Sequence, residues 1–528
     1  MTTSISRRDA LKLGSAAAAA TVATAALTTA ALADEAVSDE PAAATSELPG
    51  GILPAELTET PVVIDPITDF ADEKTYDVVI VGCGTTGMPA ALAAMDQGAT
   101  VAVLQKQEVA LAQGMLCARV VKEESTEVGI AQYVHEMHTL YDHRPDINLQ
   151  REYAERSGEA VDWYMAKLDG IGFADYTESD SKNHEYDDGN CQVRGWLFSG
   201  SMMAPTQALA EAYNGNGIDI YYETPGVQLV SEGGAVTGVV GQDADGNFIK
   251  FNAAKGVILA TGDYQNNAAL VGHYCVDAQP FGRKQSYKTG DGHLMGMAAG
   301  AVMEPGCHCK MIHGGKGCFR EEPFLAVNIN GERFMYEDVA YGARNTILRD
   351  QPDLKMYSIF DDNYTEQVYG WGSDPTVKTV ANGTPEQIAG YVEDGTLLSS
   401  DTLEGLAEAA DLPVDAFVAT VERYNELCEQ GADVDFGKSS KYMQPLAQPP
   451  YYAMLREYSI AAIPAGLVID VNGQCKDAEG NLIPGLFAAG NCSGPFYSAT
   501  DYSLSTMGLS IGRCVTFGYL TGTYVASL

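Results

Sequence analysis

The apolar positions of this chain fall into short continuous runs, alternating segments and helical stripes, in an order that predicts an α/β protein. Residues 78–81 are an unbroken apolar run, the pattern of a parallel strand buried on both faces. The Ala-rich stretch 88–97 reads as a helix ended by Gly98, and 100–104 as a second strand. Residues 125–170 read as largely helical, with Tyr133, Met137, Leu140, Trp163, Met165 and Leu168 as core positions, and 171–200 as polar and irregular. A helix over 201–213 precedes strands at 218–222, 227–231, 235–242 and 247–251, separated by Gly- and Asp-rich turns. Residues 256–263 form another buried strand with a tight turn, and 289–292 open a helix over 294–299. Beyond Glu304 aromatic, proline and charged residues intermix to about residue 455, which suggests a separate domain containing an amphipathic helix at 415–430. Strands at 466–470 and 485–491 return to the first pattern, and the last helix spans 508–525.

Between the first strand and its helix stand Gly82, Gly84 and Gly87 in G-x-G-x-x-G spacing. Strand, glycine turn, helix and second strand make a βαβ unit of about 30 residues, the context in which this spacing holds a dinucleotide. Gly82 permits the tight turn, Gly84 admits a pyrophosphate close to backbone, and Gly87 lets helix and strand approach. Free N–H groups at the helix N-terminus favour the negative charge. The acidic residue expected at the end of the second strand is replaced by Gln105, whose amide oxygen accepts a hydrogen bond more weakly than a carboxylate.

The 528-residue chain exceeds one ordinary core, so more than one domain is expected. A formal net charge of −39 argues against nucleic acid and anionic membrane surfaces as partners. The 11 cysteines follow no disulfide framework. Cys307, His308, Cys309, His313 and Cys318 are clustered but match neither a zinc nor an iron–sulfur spacing, so no metal is expected. Residues 1–33 carry Arg7-Arg8, a mildly apolar Ala/Thr run and a small-x-small Ala31-Leu32-Ala33, the pattern of a twin-arginine signal peptide. Residues 34–71 read as an acidic linker.

VVIVGCGTTG, VILATGDY, TGDGHLMGMAAGA, NGERFMYED and GLFAAGNCSG follow one another in an order that resembles the soluble branch of the FAD-binding fumarate reductase/succinate dehydrogenase flavoprotein superfamily. That branch includes flavocytochrome c fumarate reductases, urocanate reductase and 3-ketosteroid dehydrogenases. The resemblance spans 72–528 and implies a Rossmann-like FAD-binding domain, split into 72–305 and 456–528, around an α+β capping domain at 306–455. It implies non-covalent FAD at Gly82, Gly84, Gly87, Gln105, Lys106, Gln113, Gly114, Val227, Thr261, Gly262, Asp291, Asn491, Ser510 and Ile511. The activity implied is reduction of an activated C=C bond, by hydride transfer from flavin N5 and protonation of the neighbouring carbon.

In fumarate reductases the segment matching Arg333 to Glu337 is followed by an arginine acid, whose place here falls at Tyr341. The substrate-binding histidine falls at Tyr497, and Asp501, Tyr502 and Ser505 occupy the neighbourhood of a dicarboxylate-clamping arginine. Loss of these cations points away from fumarate and toward a larger neutral, aromatic or steroid-like enone or enoate. Tyr341, Tyr497 and Tyr502 are the expected catalytic groups, with Arg344 placed to stabilise a phenolate. The reverse desaturation, as in 3-ketosteroid dehydrogenases, and a dicarboxylate reductase are the alternatives. With no C-x-x-C-H haem motif in the sequence, the expected electron source is a separate donor protein such as a membrane-linked cytochrome. The signal places the expected site of action in the periplasm or on the outer face of the cell membrane. Export predicts a mature chain that begins at Asp34. N-terminal sequencing of protein recovered from the cell envelope checks this, and a chain still beginning at Met1 there would identify a retained anchor.

Overall fold

Asp72–Val81 becomes the axis of the main sheet because Val78, Val79 and Ile80 have no polar face to show to water; all three are fully buried. The computed structural model describes residues 62–314, 317–376, 381–499, 501–502 and 506–528, apart from the side chains of Asp180, Ser181, Tyr341 and Asn345. Five parallel strands lie in the order Leu482–Ala488, Phe248–Leu259, Asp72–Val81, Val101–Leu104 and Ile218–Tyr221. Gln474–Lys476 adds an antiparallel edge, and Gly226–Glu232 and Ala235–Gln242 form a ribbon against Phe248–Leu259. The C-terminal part of the chain thus returns to the sheet begun near residue 72, with Phe487 beside Ile258 and Ala488 beside Leu259.

Three local expectations change. Residues 247–251 and 256–263 belong largely to one 12-residue strand, Phe248–Leu259. Its Ala253-Ala254-Lys255 stretch has low strand propensity, but pairing with Asp72–Val81 along most of its length overrides that. Residues 171–200 are not irregular: Tyr176–Tyr186 and Gly189–Phe198 form a hairpin, extended by Leu116–Val120 into a three-stranded sheet. Only Gly189–Phe198 buries alternate residues, among them Cys191 and Val193, so the period of two is faint in its polar partner. Residues 466–470 supply only the strand Leu467–Val468, which pairs with Ser493–Gly494 outside the main sheet. Leu140, expected in the core, lies at the end of its helix and is exposed.

A second sheet is built around Tyr451–Ala462. Lys355–Asp361, Leu397–Ser400 and Met311–Gly314 pair with it antiparallel, and Gly282–Arg283 parallel. This strand runs unbroken through 455/456 and draws in Gly282–Arg283 from before 305, so the sheet reaches past both expected domain edges. The NGERFMYED segment is fixed here by charge. Arg333 donates to both carboxylate oxygens of Glu337 at 2.8 and 2.9 Å and to Asp433 at 2.8 and 3.1 Å. Lys438 completes the group 3.2 Å from Glu337. Removing one member of such a buried set leaves an uncompensated charge, costing about 3–5 kcal/mol.

Helix Leu509–Ser527 crosses helix Gly87–Asp96 at near-backbone contact. A Cβ on Gly518 would lie 2.5 Å from the Thr86 carbonyl oxygen, and one on Gly522 would lie 2.2 Å from that of Ala90. Gly522→Ala should therefore lower stability by about 3 kcal/mol and weaken dinucleotide retention, although the residue lies several turns from the helix N-terminus. Gly390→Ala, in a helix where an added Cβ meets nothing within 4 Å, should raise stability by about 0.5–1 kcal/mol. Thermal unfolding of both variants, with spectroscopic measurement of retained cofactor, checks the pair; equal effects would contradict the packing argument.

Candidate active site

A cavity of about 490 Å³ opens where the carboxyl ends of the parallel strands face the second sheet; Val81, Leu104 and Ala260 form part of its wall. Ligands of open α/β sheets bind at this edge. Two helix N-termini are aimed at it. Thr85 and Thr86 precede Gly87–Asp96, Ser510 and Ile511 lie in the first turn of Leu509–Ser527, and all four line the cavity. Neither helix has a side-chain cap, so its first N–H groups are left for an anion.

Most of the expected cofactor residues meet here. Gly82, Gly84, Gln105, Lys106, Gln113 and Gly114 line one side, and Thr261, Gly262, Asp291 and Asn491 the other. Gly87 and Val227 do not. Gly87 is the contact between helix and strand, where a Cβ would lie 1.8 Å from the Gly82 carbonyl oxygen, and Val227 is buried behind the lining residues Pro225 and Gly226. Gln105 is committed to the turn itself: its oxygen accepts from the Cys83 N–H at 3.2 Å and its NH2 donates to the Val109 carbonyl at 2.7 Å. Lys106 donates to Thr289 at 2.6 Å and Asp291 at 2.9 Å, joining the second strand to the start of helix Asp291–Ala298. The Gln113 side-chain oxygen and the Thr261 hydroxyl are buried without a hydrogen-bond partner among the described residues. Uncapped helix ends, a glycine cradle and orphaned polar atoms together fit a dinucleotide with its pyrophosphate at the paired N-termini.

Two of the three expected catalytic tyrosines lie elsewhere. Tyr497 and Tyr502 do not line the cavity; they are buried in the core, with ring centroids 5.2 Å apart. Tyr141 packs edge-on against Tyr497 at 5.3 Å, and the Arg513 guanidinium lies over the same ring at 5.2 Å. Burial raises the pKa of both tyrosines, which opposes proton donation. The backbone before Tyr497 is tied to the start of helix Ile147–Gly170, where the Asp146 N–H donates to the Pro495 carbonyl at 2.9 Å and Gln150 to that of Phe496 at 3.2 Å. Arg344 is tied mainly to backbone carbonyls. Its guanidinium donates to the carbonyls of Arg320 at 2.8 Å, Glu321 at 2.7 Å and Glu337 at 3.0 Å. The side chain of Tyr341, and Ser505, lie outside the described residues.

The groups that face the cavity on the second-sheet side were not anticipated: Lys284, Tyr287, Met311, Arg320, Glu321, Ala461 and Ala462, together with His313. Burial depresses the Lys284 pKa to about 8, aided by Arg320. Burial, with Lys284 and Arg320, holds His313 near 3, so its imidazole is neutral at pH 7. Burial raises Tyr287 to about 12. The positive field inferred to be lost at the positions of Tyr497 and Tyr502 is therefore supplied from two other loops. A signal was present, since Arg283, Lys284 and Lys288 are clustered in an acidic chain, but it needed the strand pairing to give it a place. The cysteine–histidine cluster disperses. Cys307 is exposed, Cys309 and Cys318 belong to different cores, and His308 bonds to Tyr264 at 2.6 Å and the Glu304 carbonyl at 2.7 Å.

This chain is similar to known proteins. Vinyl phenol reductase of Lactiplantibacillus plantarum is 27% identical over 498 residues, spanning 86% of this chain and 96% of that protein. Digoxin reductase of Eggerthella lenta is 27% identical over 527 residues, spanning 88% and 89%. In fold, a flavocytochrome c3 fumarate reductase in its open conformation superposes with TM-score 0.68 at 24% identity, over 87% of this chain and 79% of that one. A 3-ketosteroid Δ1-dehydrogenase from Sterolibacterium denitrificans gives 0.67 at 18%, over 86% and 100%. Residues 77–501, most of the chain, match the family described as the FAD binding domain, and this protein belongs to that family as an FAD-dependent oxidoreductase.

Proposed function

We propose that this protein reduces an activated carbon–carbon double bond in a small organic acceptor with a sizeable apolar body. The observation that carries this reading is the continuity of one cavity, from the cofactor-binding turn at Gly82 to the apolar surfaces of Met311, Ala461 and Ala462. Two relatives that span most of both chains are named reductases, of vinyl phenol and of digoxin, which supports reduction over desaturation. FAD, when bound, supplies a ring that exchanges hydride with carbon. The chain's own part is to hold that cofactor by the two helix ends, to present the acceptor from the second-sheet side, and to keep water from the junction. Electrons arrive from a separate donor, and the twin-arginine pattern supports work outside the cytoplasm.

An anaerobic assay of reduced-viologen oxidation against enones, cinnamates, steroids and small dicarboxylates tests the reading. Turnover is expected with the aromatic or steroid-like acceptors; turnover with fumarate alone, or with none, would overturn it. Because Tyr497 and Tyr502 face the core, Tyr497→Phe and Tyr502→Phe should leave kcat within about threefold of wild type while shifting Tm. A loss of about a hundredfold in kcat with unchanged Tm would return those hydroxyls to the chemistry.

A further inference from the structure

We propose that Lys284 and Arg320 form an anion clasp that binds one carboxylate of the acceptor, so that the preferred substrate class is a monoanionic α,β-unsaturated acid. This rests on the reductase reading above and names the substrate class of the same site. Both side chains line the cavity, and neither charged head has a hydrogen-bond or ion-pair partner among the described residues. The chain carries 71 Asp and Glu against 32 Lys and Arg, more than two carboxylates for every cation. Two cations whose heads are hydrogen-bonded to no carboxylate among the described residues, in a half-buried cavity of so acidic a protein, are an arrangement that a ligand anion completes.

The two heads are held from different parts of the chain. Lys284 directly follows the strand Gly282–Arg283, in which Arg283 pairs with Ile460. Its own N–H donates to the Gln265 side-chain oxygen at 3.0 Å and the Ile460 carbonyl at 3.2 Å. Arg320 is held through its carbonyl by Arg344, which is itself buried. Arg344 is thus a positioning residue for the clasp. His313, opposite Ser459 in the same sheet, adds an imidazole that burial and these two cations keep neutral. Glu321 is the one carboxylate of this wall; burial together with Glu322 raises its pKa, and Arg344 and Arg320 oppose that rise. Lys288 also lines the cavity and its nearest carboxylate influence is the fully buried Asp263. Lys284 and His313 belong to elements paired with Tyr451–Ala462, whereas the uncapped helix ends that suit a pyrophosphate stand on the main sheet. A guanidinium fork and an ammonium together suit a single carboxylate, with the apolar body of the acid against Met311, Ala461 and Ala462.

The test is an equilibrium titration of the oxidised, FAD-loaded protein with trans-cinnamate and with cinnamamide, in wild type, Lys284→Met, Arg320→Met and Lys284→Arg. FAD affinity and Tm are measured on each variant. Wild type should bind the acid about tenfold or more tightly than the amide. Each Met variant should bring that ratio close to one, Lys284→Arg should keep it, and FAD affinity should stay within about twofold of wild type. Acid binding by wild type should weaken as pH rises through about 8, where the free Lys284 ammonium loses its proton, while amide binding stays level. No binding of the acid, equal binding of acid and amide, or discrimination that survives both Met substitutions overturns the clasp. Loss of FAD from the Met variants with the acid-to-amide ratio intact also overturns it, by assigning the cations to the cofactor. If neutral enones are reduced but no discrimination exists, the clasp fails and the reductase reading stands. If the acid binds through Lys284 and Arg320 yet no alkene is reduced, the clasp stands and the reductase reading fails.

Discussion

The structure depends on the contact between helix Leu509–Ser527 and helix Gly87–Asp96. Their backbones meet because Gly518 and Gly522 present no side chain to Thr86 and Ala90. Close approach fixes the pair side by side and brings both uncapped N-termini to one cavity wall. One of these helices follows the first strand and the other closes the chain, so a site for one pyrophosphate is assembled from sequence more than 400 residues apart. Helix dipoles that add at a point are stronger than either alone. The parallel pairing of Leu482–Ala488 with Phe248–Leu259 carries the C-terminal part back to where this contact can form.

The second sheet then decides what chemistry the cofactor meets. Its central strand, Tyr451–Ala462, reaches the cavity with the small residues Ala461 and Ala462, leaving room where larger side chains would fill the junction. One strand paired with it carries His313, another leads directly into Lys284, and Arg344 holds the backbone at Arg320. The Arg333–Glu337–Asp433–Lys438 group anchors the segment leading into the Arg344 helix. This charged motif thus serves the cavity through support, without lining it.

What the sequence made legible follows from the range of each interaction. The βαβ unit was readable because strand, glycine turn and helix are local, and Gly82, Gly84, Gln113, Thr261, Asn491 and Ser510 all reach the cavity. The hairpin Tyr176–Tyr186/Gly189–Phe198 was hidden because one of its strands is polar on both sides. Tyr497 and Tyr502 were misplaced for a different reason. Alignment to a catalytic position says nothing about which way a chain turns; the Tyr497 ring packs against Tyr141, Phe496 and Arg513, and that of Tyr502 against Tyr497. Lys284 and Arg320 were missed because their meeting depends on pairing across the second sheet, between residues far apart in the chain.

In the proposed reaction, hydride passes between the bound flavin and an alkene held at this junction. Anaerobic rapid mixing of the chemically reduced protein with an unsaturated acid tests it most directly. The account predicts full reoxidation of the flavin with a stoichiometric yield of the saturated acid. A flavin that stays reduced with every alkene, yet is reoxidised at once by a quinone, would contradict it.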